Sequence, residues 1–182
     1  AQKIWNTTAI RKIIKSGDTW VFLTDNGIAR SDDLSRFDYI NDGLPIKVIK
    51  KIIDGEKSFI KKPQMLKDLE AHPSRPGTLI TATNSAVFLR EDGGKHWLNL
   101  GCHTPVNGLK AVCVLDLPDA QGNPQLTVLA SHSIYGAAWK QPFVSDKWQP
   151  LSEGLIPGPE SDEEISDIVV YTHRQKQEVY AA

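Results

Sequence analysis

Ala86-Val87-Phe88-Leu89-Arg90-Glu91-Asp92-Gly93-Gly94-Lys95-His96-Trp97-Leu98-Asn99-Leu100 reads as a single β-hairpin. Two alternating apolar runs flank Asp92-Gly93-Gly94, the residues that a tight turn with positive φ requires. Trp97 heads the returning strand as a large apolar anchor. The local architecture is therefore short antiparallel strands, and the neighbouring sequence says how many.

Upstream, Met65-Leu66-Lys67-Asp68-Leu69-Glu70-Ala71 leads through His72-Pro73-Ser74-Arg75-Pro76-Gly77 to Thr78-Leu79-Ile80-Thr81-Ala82-Thr83, and the unit closes downstream on Gly108-Leu109. Four strands joined by short links are predicted over 65–109. The order recurs over 10–45, with Ile10-Arg11-Lys12-Ile13-Ile14, Trp20-Val21-Phe22-Leu23-Thr24, Gly27-Ile28-Ala29-Arg30-Ser31 and Phe37-Asp38-Tyr39-Ile40 ahead of Gly43-Leu44. It recurs again over 109–155, with strands at 109–114, 126–131, 134–139 and 147–151 ahead of Gly154-Leu155. An incomplete copy fills 165–182, where Asp167 stands 99 residues after Asp68, and Lys3-Ile4-Trp5 reads as one strand of a unit before the first.

The Gly-Leu closings at 43, 108 and 154 are 65 and 46 residues apart, and the excess falls in 46–62. There Ile46-Lys47-Val48-Ile49-Lys50-Lys51-Ile52-Ile53 and Ser58-Phe59-Ile60-Lys61-Lys62 flank Asp54-Gly55, which predicts an inserted hairpin. Its lysines read as a solvated edge that resists strand addition.

The hairpin at 86–100 resembles an Asp-box, or BNR repeat, the Ser/Thr-x-Asp-x-Gly-x-Thr-Trp signature of β-propellers in the sialidase-like and sortilin-like superfamilies. Asp92, Gly94 and Trp97 stand at the motif's Asp, Gly and Trp, with Arg90 at its hydroxyl position and His96 at its Thr. The turn at Asp32-Asp33-Leu34-Ser35 is a degenerate version. The resemblance implies an all-β protein built of four-stranded antiparallel propeller blades, about three and a half of them in this chain, with the box as a structural clasp. Closed propellers use about 4 to 8 blades. A larger propeller completed by missing sequence or by a second chain is therefore expected, and the resemblance favours a secreted or periplasmic protein.

Composition narrows the partners. The 182 residues fit one domain with a sizeable core, 40% hydrophobic and 24% charged residues are ordinary for a globular protein, and a net charge of -1 gives no reason to invoke nucleic acid. No apolar run is long enough for a membrane span. Cys102 and Cys113 lack Cys-x-x-Cys spacing; Cys113 lies in an apolar run as a small buried thiol would, and a Cys102–Cys113 disulfide stays open for a secreted protein.

Candidate chemistry is sparse. The histidines at 72, 96, 103, 132 and 173 have no metal-ligand spacing, and nothing calls for a cofactor. The acidic segment Pro157-Gly158-Pro159-Glu160-Ser161-Asp162-Glu163-Glu164 reads as a solvated linker. A sialidase-like site needs several arginines; Arg11, Arg30, Arg36, Arg75, Arg90 and Arg174 are scattered, and Arg-Ile-Pro is absent. Other glycosidases place two carboxylates across a cleft, for which Asp25, Asp68, Asp116 and Asp167 are the candidates, though strand-end acids commonly form turns. Trp5, Trp20, Trp97, Trp139 and Trp148 sit at strand positions, where packing between sheets is the expected role over stacking on sugars. The reading that follows is a non-catalytic binding or scaffolding propeller presenting loops to a protein or glycan. The alternative is part of a glycoside hydrolase, sialidase-like or endoglucanase-like, with catalytic residues partly outside this chain.

Overall fold

A computed structural model describes residues 8–91, 94–103, 107–134, 136–151, 165–173 and 176–182, apart from the side chains of Ile53 and Lys176. Sixteen strands make up the described secondary structure. The first sheet is formed in chain order by β1 (Ile10–Ser16), β2 (Thr19–Thr24), β3 (Gly27–Ser31) and the two-residue β4 (Asp38–Tyr39). The second is β7 (Asp68–Ala71), β8 (Leu79–Ala82), β9 (Val87–Arg90) and β10 (Leu98–Gly101), and the third is β11 (Leu109–Pro118), β12 (Pro124–His132), β13 (Gly136–Lys140) and β14 (Gln149–Leu151). Two-stranded sheets are made by β5 (Ile46–Ile53) with β6 (Glu56–Pro63), and by β15 (Ile168–His173) with β16 (Lys176–Ala181). All pairings are antiparallel, as expected for strands joined by tight links. Among the described residues no helix is long and apolar enough to cross a membrane.

The sheets pack face to face, which explains why the middle strands are apolar on both sides. Leu79 of β8 and Phe88 of β9 join Val21, Leu23 and Ile28 of the first sheet, whereas Ile80, Val87 and Leu89 turn the other way to meet Val112, Val114 and Val128 of the third. On β11, Ala111, Cys113 and Leu115 point onward to Ile168. A strand buried on both faces reads as a continuous apolar run, and Leu79-Ile80-Thr81-Ala82 is buried throughout. The first strands of consecutive sheets touch in order, β1 against β7, β7 against β11 and β11 against β15.

The first two junctions carry the same fastening. Trp97 is 1% exposed and its indole N–H donates to the Ile40 carbonyl of the preceding sheet at 2.5 Å. Trp148, half-buried, donates in the same way to the Leu100 carbonyl at 3.1 Å. At two of the links between sheets the chain passes so close to its neighbours that only glycine fits. At Gly43, with φ +89°, a Cβ would stand 2.5 Å from the Trp97 carbonyl oxygen, and at Gly108, with φ +140°, 2.7 Å from the His132 ring. These are two of the three repeated Gly-Leu positions; the third, at 154, lies outside the described residues, as do Lys3-Ile4-Trp5 and the acidic linker.

The inserted hairpin forms around Asp54 (φ 51°) and Gly55 (φ 81°), consecutive positive-φ residues of the kind a two-residue hairpin turn demands. Its base is closed by Gln64 N–H donating to the Pro45 carbonyl at 2.8 Å. Ile46, Val48, Ile52 and Phe59 are exposed along it. Cys102 and Cys113 are thiols and not bonded to each other.

Candidate functional site

Asp92 and Arg174 lie outside the described residues. Of the other residues of the expected box, Trp97 is the buried fastening described above, and the Gly94 N–H donates to the Glu91 carbonyl at 3.0 Å. The turn between β3 and β4 is held by an aspartate. The Asp33 carboxylate accepts the backbone N–H groups of Ser35 at 2.8 Å and Arg36 at 3.0 Å, and the Ser35 hydroxyl at 2.6 Å. The Ser31 hydroxyl accepts the N–H of Leu34, which sits at φ 59°. The Ser35 hydroxyl first, then the two amides, hold the Asp33 carboxyl well below the usual carboxylate range although it is fully exposed.

Where the first strands touch, a polar cluster forms. Lys12 of β1 reaches across to β7, donating to Asp68 Oδ1 at 2.7 Å and to Glu70. Burial alone would lower the Lys12 ammonium, but its bonds to Asp68 and Glu70 outweigh that and hold it above its ordinary value. Burial pushes the Glu70 carboxyl up, with help from the negative charges of Asp68 and Asp167 and against the pull of Lys12. Asp68 Oδ1 also accepts the Leu69 N–H at 2.8 Å, and Oδ2 accepts the Val112 N–H of β11 at 3.0 Å, so one carboxylate joins three sheets through Lys12, its own strand and the next. Beside it, burial drives the Cys113 thiol up to about 12, which leaves it protonated and unreactive at neutral pH.

A second cluster occupies the link between β7 and β8. Arg75 clamps Asp116 through two bonds, 3.1 Å from Nε and 2.5 Å from a terminal nitrogen. His72 Nε2 faces the same carboxylate at 3.6 Å, and Ser74 Oγ lies 3.4 Å from His72 Nδ1. The order Ser, His, Asp is that of a nucleophile, its base and an orienting acid, but the hydrogen bonding rules the chemistry out. His72 Nδ1 already accepts the backbone N–H groups of Ser74 and Arg75 at 3.2 and 3.1 Å, so its lone pair serves the turn and cannot take the Ser74 proton. Burial, against the attraction of Asp116, also holds the His72 ring below its ordinary value.

The structure thus gives each candidate acid a partner. Asp25 pairs with Arg11 at 3.3 Å, Asp116 with Arg75, and Asp167 accepts the Ile168 N–H at 2.9 Å, repeating the bond of Asp68 to Leu69. Sequence reasoning missed Lys12 and Glu70, whose encounter spans 58 residues of chain; the signal available was a charged residue pair inside first strands that otherwise read as apolar. Among the described residues no group of three His, Cys, Asp or Glu side chains is placed to hold a metal ion. Comparison with protein-family models, with curated proteins and with solved structures finds no match to this chain.

Proposed function

We propose that the chain is a run of Asp-box β-propeller blades whose function is to bind or scaffold a protein or glycan partner, without catalysis. The observation that carries the reading is the fate of the strand-end acids. Asp25, Asp68 and Asp116 are each held by a cation, and Asp68 and Asp167 by backbone amides, so their charge is spent on joining strands and sheets. A retaining or inverting glycosidase instead needs two carboxyl groups facing one open space. The blade reading is supported by three four-stranded sheets in chain order, by first strands that touch in succession, and by the repeated indole fastening.

The outward face of β15–β16 extends this reading to a partner. Val169, Tyr171 and Tyr180 are exposed there, whereas the equivalent face of the second sheet is covered by the third, with Asp68 Oδ2 on the Val112 N–H. Asp167 repeats the first half of that arrangement. The face fits a further sheet, supplied by a second chain or by sequence outside these 182 residues.

The test is a paired measurement of glycan binding and of aryl-glycoside turnover, including sialosides and β-glucosides. Binding with no turnover is expected. Turnover that disappears in Glu70→Gln, Asp68→Asn or Asp116→Asn while the melting temperature holds would overturn the proposal in favour of a glycoside hydrolase; Glu70 is included because a carboxyl raised by burial is what a general acid requires.

A further inference from the structure

The first and second sheets part at one end into a groove of about 440 Å³, floored by Val21, Ile40 and Leu79 and walled by Arg30, Arg90 and Lys95. Register fixes how these charges are aimed. Arg30 pairs with Val21, and Arg90 with Leu79; Val21 and Leu79 share the core between the two sheets, so the two guanidiniums project into the same junction from opposite walls.

The next junction along the chain is an internal control. Lys140 pairs with Val128, whose side chain faces the second sheet, so Lys140 holds the position that Arg90 holds one sheet earlier. There the junction is closed: Lys140 is buried and its ammonium is consumed by the Leu100 and Asp146 carbonyls at 3.3 and 3.0 Å. Facing it from the second sheet, in the place of Arg30, is Leu89, buried and apolar. At the first junction two cations oppose each other instead. The carbonyl matching that of Leu100 is Ile40 O, which receives the Trp97 indole, and among the described residues Arg90 donates to the Lys95 carbonyl at 3.2 Å.

Two like charges facing one groove repel each other, and burial with the Arg30 charge, against the attraction of Asp42, holds the Arg90 guanidinium below its ordinary value. Among the described residues neither arginine forms an ion pair, although Asp18 and Glu91 stand on the groove's rim; Asp18 is turned to Lys15 at 3.9 Å. A counter-charge brought in from solution would relieve the repulsion. Guanidinium forks match the oxygen spacing of phosphate and carboxylate, and donors arriving from two opposed walls plus an ammonium suit a tetrahedral anion with oxygens in several directions.

We propose that this groove binds a small molecule bearing a phosphate or sulfate group, clamped between Arg30 and Arg90 with Lys95 beside them, its remaining body resting on the apolar floor. The experiment is titration of the chain with inorganic phosphate, sulfate and acetate at constant ionic strength, read by calorimetry and by melting temperature. Saturable binding of phosphate or sulfate is expected, weakened at least about tenfold by Arg30→Gln and again by Arg90→Gln, which is the loss of one charge-assisted contact of about 1.4 kcal/mol or more. Lys50→Gln with Lys57→Gln on the inserted hairpin should change nothing. No saturable binding of either tetrahedral anion, acetate bound as tightly as phosphate, or affinity unchanged in the arginine variants would each overturn the proposal. Should Arg90→Gln melt early in anion-free buffer, the exposed Arg30→Gln decides alone.

Discussion

Trp97 is the largest fully buried side chain among the described residues. Its ring fills the junction between two sheets, and its N–H donates to the Ile40 carbonyl there. Trp97→Ala removes both, and a loss of about 3–5 kcal/mol is expected, measured by urea unfolding; an unchanged midpoint would contradict the assignment of Trp97 as a fastening. Trp148, half-buried, should cost less. His103 gives a pH signature. Its ring packs against His132 and Trp148 at 5.9 Å, and burial first, then the His132 charge, lower it to about 4. In the unfolded chain it protonates at about 6.5. The unfolded state therefore binds the extra proton, and stability falls as the pH drops from about 6.5 to about 4. His103→Gln should flatten that part of the stability profile, and a slope identical to wild type would rule the ring out as its source. The place of Trp97 was legible from its position after a turn. The pairing of His103 with His132 was not, because it depends on which strand ends meet in space.

At the scale of elements, the alternation of apolar residues and the positions of Gly and Pro carried the strands. The all-β class and the antiparallel hairpins follow directly from them, and the Asp54-Gly55 turn is the plainest case. Contacts between sheets were not legible. Lys12 and Asp68 are 56 residues apart, Arg75 and Asp116 are 41, and nothing in a local window distinguishes an acid that joins two sheets from one that caps a turn. The same limit hid the opposed arginines, since which wall Arg30 faces depends on the pairing of Arg30 with Val21. The inserted hairpin supplies an element-scale prediction. Its strands pair with each other, its apolar side chains are largely exposed, and its two ends meet at the Pro45–Gln64 hydrogen bond. Replacing 46–63 by a short glycine linker should leave one cooperative transition within a few degrees of wild type, because no core residue is lost. A collapse of cooperativity on differential scanning calorimetry would show that the ribbon packs on the body.

For the whole molecule, the account rests on stacking: the first four-stranded sheet is covered by the second, the second by the third and the third by β15, and the indole fastening recurs at the first two of these junctions. The acids that might have served catalysis are taken up by this stacking, and that is why a binding role is proposed. Stacking also implies that an uncovered face is unstable toward association. Val169, Tyr171 and Tyr180 form such a face on β15–β16, beside an Asp167 arranged as Asp68 is. Light scattering of the purified chain at micromolar concentration tests this most directly. The account predicts a mass above that of one chain, returning to one chain when Val169 and Tyr180 are both changed to lysine; a wild-type chain that remains a stable, monodisperse monomer would contradict it.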